Sequence, residues 1–355
     1  MASDLHVALI GAGATAVALV WAYNAWQDRQ HRRTAERIFR EGGSEGAGSA
    51  TEAPPVERRE PSLPVADGTA PQDAGEPQGD LPAQWADEVA DCIVSLRATQ
   101  GLPAPAVWAV QTAWSGDLSK TLRWLARDPG AAWRLVDAHD AGRYGEWIGA
   151  LQLVDRRGPV TDGELGRFLD GMNDLARQTG AAIEAPPRGE TLIRAEKLDE
   201  FCAGLDIQFV LHVVDASGGV LSGARLRAAA ESAGLALEDD GAFHARDDQG
   251  GELFSVGNLG AELFEASTLD SLATHGLTLR LDVPRTVDGG AAFDAMLGTA
   301  RQLAAALDGS LVDAQRAPLA DAMIEAIRAK TTELQQRLRE AGIAPGGALA
   351  LRLFS

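Results

Sequence analysis

Trp147-Ile148-Gly149-Ala150-Leu151-Gln152-Leu153-Val154 and Gly276-Leu277-Thr278-Leu279-Arg280-Leu281-Asp282-Val283 decide the fold. Each is a run of strand length, and each is followed closely by a long amphipathic helical pattern. Working outward from both gives the same order of elements twice. Around the first lie a strand at Asp91–Leu96, a helix at Pro105–Trp114, and strands at Thr121–Ala126 and Ala132–Val136 about the turn Asp128-Pro129-Gly130. A helix then starts at Thr161, with Glu164 at the capping-box position and Leu165, Phe168, Leu169, Met172 and Leu175 as its apolar stripe. Gly180 ends it, before a short strand Ala182–Glu184. Around the second lie a strand at Ile207–Val214, a helix capped by Ser222, and strands at Ala242–Arg246 and Leu253–Val256. A helix striped by Phe293, Met296, Leu297, Ala300 and Leu303 follows, stopped at Gly309, with a short strand Ser310–Val312.

The two halves also share local text. The pair quoted above occupies matching places, and Trp124-Leu125-Ala126-Arg127-Asp128 answers Phe243-His244-Ala245-Arg246-Asp247. This reads as a tandem duplication of one split β-α-β unit. The expected fold class is therefore α+β: two tandem ferredoxin-like units with antiparallel sheets, each with helices on one sheet face and the other face free. Beyond the second unit, Pro318 opens a helix running to Ala341 and stopped by Gly342. Ala348–Phe354 alternates like a strand.

On the N-terminal side, residues 42–84 are rich in Gly, Pro, Ala, Ser, Glu and Asp, a composition that cannot bury enough apolar surface to offset ordering entropy. A disordered tether is expected there. Val7–Gln27 has no charged residue and would reach about 30 Å as a helix, the thickness of a bilayer core. Arg29, Arg32, Arg33, Arg37 and Arg40 follow it, which predicts one transmembrane helix with the N-terminus outside. The expected domains are 1–41 (anchor and basic flank), 42–84 (linker), 85–204 (first unit plus connector), 205–317 (second unit) and 318–355 (C-terminal helix and tail).

The whole chain has 355 residues and a formal charge of −19, which disfavours nucleic acid as a partner. Two cysteines, Cys92 and Cys202, form no disulfide-rich pattern. Gly11-Ala12-Gly13-Ala14-Thr15-Ala16 matches a dinucleotide fingerprint, but no second strand ending in an acid follows at the required distance. The six histidines show no paired-ligand spacing, Ser255 lacks a nucleophile elbow, and the pairs Asp239-Asp240 and Asp247-Asp248 read as turn residues. No constellation points to catalysis, a metal or a cofactor.

The second unit resembles the ZipA C-terminal domain family of bacterial cell division. The resemblance is carried by Phe243–Arg246, Leu253-Phe254-Ser255-Val256-Gly257-Asn258-Leu259, Gly276–Pro284, and Phe293 through Arg316, and by the layout of span, basic flank, linker and terminal domain. It implies an inner-membrane adaptor at the division site that binds the C-terminal tail of FtsZ, with room for other division proteins. The tail would lie in a shallow apolar groove on the free sheet face. The positions that match the groove are Val213, Asp240, Ala242, Leu259, Thr278 and Arg280. Asp240 and Arg280 replace apolar groove side chains, and Arg280 is suited to an acidic residue of the tail. A groove on the first unit, or at the seam, is the alternative placement. A membrane-anchored small-ligand sensor built on paired units is the alternative function.

Overall fold

The computed structural model describes residues 81–82, 84–313 and 316–355. The expected membrane span, the Gly11–Ala16 fingerprint and the linker up to residue 80 lie outside these. Among the described residues, no helix is long and apolar enough to cross a membrane.

The first unit is built from β1 (Asp91–Pro103), α1 (Ala104–Ser115), β2 (Leu122–Arg127), β3 (Arg134–Val136) and β4 (Arg143–Gln152). A small hairpin, β5 (Val154–Asp155) and β6 (Gly158–Pro159), leads into α2 (Asp162–Thr179) and β7 (Ala182–Glu184). The residues expected as a connector carry a further helix, α3 (Arg188–Ala203). The second unit runs β8 (Gln208–Asp215), β9 (Leu221–Ser222), α4 (Gly223–Ser232), β10 (Ala236–Leu237), β11 (Phe243–Arg246), β12 (Glu252–Asn258), β13 (Ala273–Thr274), β14 (Gly276–Asp282), α5 (Gly289–Leu307) and β15 (Gly309–Val312). Helices α6 (Asp321–Glu340) and α7 (Ala348–Leu353) complete the chain.

Both main sheets are antiparallel, in the orders β3-β2-β4-β1-β7 and β10-β11-β12-β14-β8-β15. Removing the outer β3 from one and β10-β11 from the other leaves the same four-strand split β-α-β order. The duplication is thus real in topology, but two of the textual matches are misplaced. Arg127 ends β2, which pairs with β4, whereas Arg246 ends β11, one strand further from β14. The octapeptide match slips by one residue: Trp147 points into the helix layer, while its textual partner Gly276 does not, and Leu277 does. Because strand side chains alternate, a slip of one exchanges the two faces.

Local chemistry explains the main boundaries. The Thr161 hydroxyl accepts from Glu164 N at 3.2 Å, and the Glu164 carboxylate accepts from Thr161 N at 3.2 Å and from Ser119 N at 2.7 Å. Burial opposes the charge on Glu164, but the bonds from Ser119 and Thr161 outweigh it and hold the carboxyl down at about 2. Gly180 closes α2 at φ 68. Ser222 stands at the N-cap of α4 without a side-chain cap bond. Asp308, not Gly309, takes the left-handed turn that ends α5. Helix α6 begins three residues after Pro318, which is held in a bridge to Val312. The tail expected as a strand is the helix α7: Ala350, Leu353 and Phe354 fall on one buried side, so the alternation of seven residues reflected helical spacing.

The cores lie between sheet and helices. In the first unit, Trp147 is fully buried, edge-on to Trp124 at 6.3 Å and to Tyr144 at 5.6 Å. Such pairs add about 0.5–1.5 kcal/mol beyond their burial. In the second, Leu211, Val213, Leu277, Leu279 and Leu281 face Phe293, Met296 and Ala300. Arg156 joins the units through Asp206 at 2.6 Å and Asp282 at 2.7 Å. Helix α7 reaches both: Gln152 donates to Arg352 O at 2.9 Å, and Arg285 donates to Phe354 O at 3.0 Å.

Candidate peptide-binding face

Helices cover one face of the second sheet, so alternation assigns the other face residue by residue. On β8 it carries Val210, His212 and Val214; on β14, Thr278 and Arg280; on β12, Ser255 and Gly257; on β11, His244. Arg280 is exposed, and Val210, His212, Val214 and Thr278 are half-buried. A Cβ added at Gly257 would meet nothing within 4 Å, so the strand backbone there forms an open floor. A Cβ at Gly276 would instead meet Leu259 Cδ2 at 3.0 Å and Val214 Cγ1 at 3.1 Å. The absence of a side chain lets those two close over the sheet and form one apolar wall.

Polar groups ring this surface. His212 Nδ1 lies 3.1 Å from Thr278 Oγ1, and burial pushes its imidazole below the ordinary value, which keeps it neutral at pH 7. At the far edge Asp240 accepts from Ala242 N at 3.1 Å and lies 3.0 Å from His244 Nε2. His244 Nδ1 faces Glu252 at 3.4 Å. Among the described residues this face is mixed. Val210, Val214 and Leu259 are its apolar side chains, and His212, Thr278 and Ser255 its polar ones. Arg280 is exposed on it, Arg316 also acts on His212, and Asp240 and Glu252 form an acidic edge.

Of the six residues expected in the groove, the structure brings Leu259, Thr278 and Arg280 to this face and places Asp240 and Ala242 together on the turn at its rim. Val213 is a correction. Its side chain is fully buried in the helix layer, opposite Leu277 and Leu311. Ile207–Val214 is apolar on both faces, so sequence alone did not separate Val213 from Val214. His212, Val214, Val210 and Gly257 were missed; an isolated glycine within a strand was the available signal for the last.

The corresponding face of the first unit is partly occupied by its own chain. Leu81, Trp85 and Ala86 pack on Leu125, Ile148 and Ala150, with Ile93 and Trp133 beside them. Beyond this lies a cavity of about 920 Å³ reaching Ser95, Arg97, Glu146 and Glu184. Arg127 borders it, paired with Glu146 at 2.5 Å and stacked 4.4 Å over Trp133.

Residues 208–330 match the family model described as ZipA, C-terminal FtsZ-binding domain. The second unit is a ZipA-type C-terminal domain. Relatives named cell division protein ZipA include one from Shewanella amazonensis, 36% identical over 117 residues, covering 32% of this chain and 33% of that protein. One from Pseudomonas syringae is 30% identical over 186 residues, covering 51% and 63%. One from Pseudomonas putida is 26% identical over 224 residues, covering 62% and 72%. With the Shewanella protein, the match spans about a third of the relative's length. The open face described above lies on the ZipA-type domain. Among the described residues, no group of three or more His, Cys, Asp or Glu is placed to hold a metal ion.

Proposed function

We propose that this chain is a membrane-anchored adaptor whose ZipA-type domain binds the C-terminal tail of FtsZ and so tethers the division ring to the inner membrane. The single observation that supports it is a sheet face left open among the described residues, with Val210, Val214 and Leu259 as its apolar positions, on the domain whose family is described as FtsZ-binding. Val214 and Leu259 supply apolar contact, Gly257 leaves room for a side chain of the tail, and Arg280 pairs with an acidic residue of it. The span at Val7–Gln27 and a tether from residue 42 to residue 80, shorter than expected because Leu81 packs on the first unit, hold this face on the cytoplasmic side, with the N-terminus outside. The function needs no catalysis and no cofactor, since holding a filament requires binding alone.

Titration calorimetry of a synthetic FtsZ tail peptide into the full chain tests this. Saturable heat in the micromolar range is expected, reduced at least tenfold by Arg280→Glu. No heat at high peptide concentration would overturn it. In cells, a fluorescent fusion should form a midcell band that is lost on deletion of residues 205–318.

A further inference from the structure

The strand registers allow the two open faces to be compared position by position. In the first unit Leu96 lies opposite Trp147 and Ile183, and in the second Val213 lies opposite Leu277 and Leu311. All six side chains pack in the helix layers. Aligning these triplets fixes the opposite face as well: Ile93 falls on Val210, Ile148 on Thr278, Ala150 on Arg280, and Leu125 on Gly257.

Three of the first-unit positions lie under another segment of the chain, and among the described residues no such segment lies on their second-unit counterparts. Leu125, Ile148 and Ala150 lie beneath Leu81, Trp85 and Ala86, whereas Arg280 is exposed and Gly257 opens on empty space. The covering segment adds no strand to the sheet. Its described backbone bonds are local, Trp85 N to Pro82 O at 2.8 Å and Ala86 N to Pro82 O at 3.2 Å. Pro82 fixes the backbone and has no N–H to satisfy, so one turn presents Leu81 and Trp85 to the sheet together.

We infer that the segment Leu81–Ala86 is a built-in ligand of the duplicated groove, and that the open groove of the second unit takes a peptide of the same chemistry. That chemistry is an aliphatic residue followed by proline, then, after two residues, an aromatic ring and a small side chain, folded as a single turn. This deepens the reading of that face as a peptide-binding site and rests on it. The differences between the two faces refine the ligand. Gly257 in place of Leu125 makes space for the aromatic ring, and Arg280 in place of Ala150 adds a cation that favours an acidic flank, as Asp80, Asp87 and Glu88 supply in the internal segment.

The test uses a fluorescein-labelled peptide of residues 79–90, Gly-Asp-Leu-Pro-Ala-Gln-Trp-Ala-Asp-Glu-Val-Ala, titrated into the full chain and read by anisotropy. Saturation with a Kd below about 1 mM is expected, at least tenfold weaker when the peptide's tryptophan is alanine. Binding should be lost in the Gly257→Trp protein, where the new side chain fills the floor without meeting a neighbour at its Cβ. Absence of binding at that concentration, or binding unchanged by Gly257→Trp, overturns the inference. If the FtsZ tail binds and this peptide does not, the inference falls and the adaptor function stands. If this peptide binds and the FtsZ tail does not, the inference stands and FtsZ is the wrong partner.

Discussion

Arg352 on α7 and Asp91 at the start of β1 form a buried ion pair between side chains only 8% and 0% exposed. It ties the last helix to the first strand across 261 residues of chain. Removing Arg352 strips the buried Asp91 carboxylate of this cation, which costs about 3–5 kcal/mol. Arg352→Met alone should therefore lower the urea midpoint strongly. The double variant Arg352→Met with Asp91→Leu should recover much of the loss. Equal midpoints for the single and double variants would count against this account.

Val213 and Arg280 separate stability from recognition. Val213→Ala removes core methyls and should cost about 2 kcal/mol in unfolding, with tail binding unchanged in the folded fraction. Arg280→Glu should leave the melting temperature within about a degree or two, as for an exposed residue away from special features, and weaken tail binding at least tenfold. Calorimetry and thermal melting on the same samples distinguish the two.

Glu164 gives a pH dependence of defined sign. Its folded carboxyl titrates at about 2, below its ordinary value of 4.5. The unfolded chain therefore binds the proton first, and the stabilisation present above pH 4.5 is lost as pH falls toward 2. A Glu164→Gln variant should be less stable than the parent at pH 7, and the two should converge in acid. Parallel melting curves at every pH would contradict the capping-box account.

Both cysteines should be unreactive in the folded protein. Burial pushes Cys92 and Cys202 up to about 12, so almost no thiolate exists at pH 8. A thiol reagent should titrate no sulfhydryl under native conditions and both in denaturant. Fast native labelling of either one would show that its surroundings open.

Trp85→Ala should expose the first unit's sheet face without unfolding it. Trp85 is only half-buried, so a loss of about 1–2 kcal/mol is expected. A dye that binds apolar surface should brighten on this variant and not on Arg280→Glu.

These residues also show what a single sequence discloses. The capping box at Thr161 and Glu164, the stop at Gly180 and the repeated element order were readable because each is local, and each rests on one residue type with one physical use. The assignment of Val213 to the open face failed because β8 is apolar on both sides, so pattern alone carries no information about direction. The tail from Ala348 failed for a related reason: seven residues satisfy both a strand's alternation and a helix's spacing, and packing decides. The cover of Leu81, Trp85 and Ala86 over the first sheet straddles the expected boundary at residue 84: Leu81 stands in linker-like composition, and three side chains are too few to give a periodicity to read. Pairing registers, which depend on contacts distant in sequence, were needed to align the two faces.

The internal segment also sets where this molecule yields under tension. Leu81 is the first described residue, and Leu81, Trp85 and Ala86 pack on the sheet rather than within it, so no strand pairing anchors them there. A pull on the chain N-terminal to Leu81 would peel these side chains off the sheet one after another before any ladder of hydrogen bonds shears. Stretched between two beads, the chain should therefore give a first short extension at low force, and that step should vanish when Trp85 is alanine. Load applied there would then uncover the first unit's sheet face while leaving its strands paired, making that unit a strain gauge.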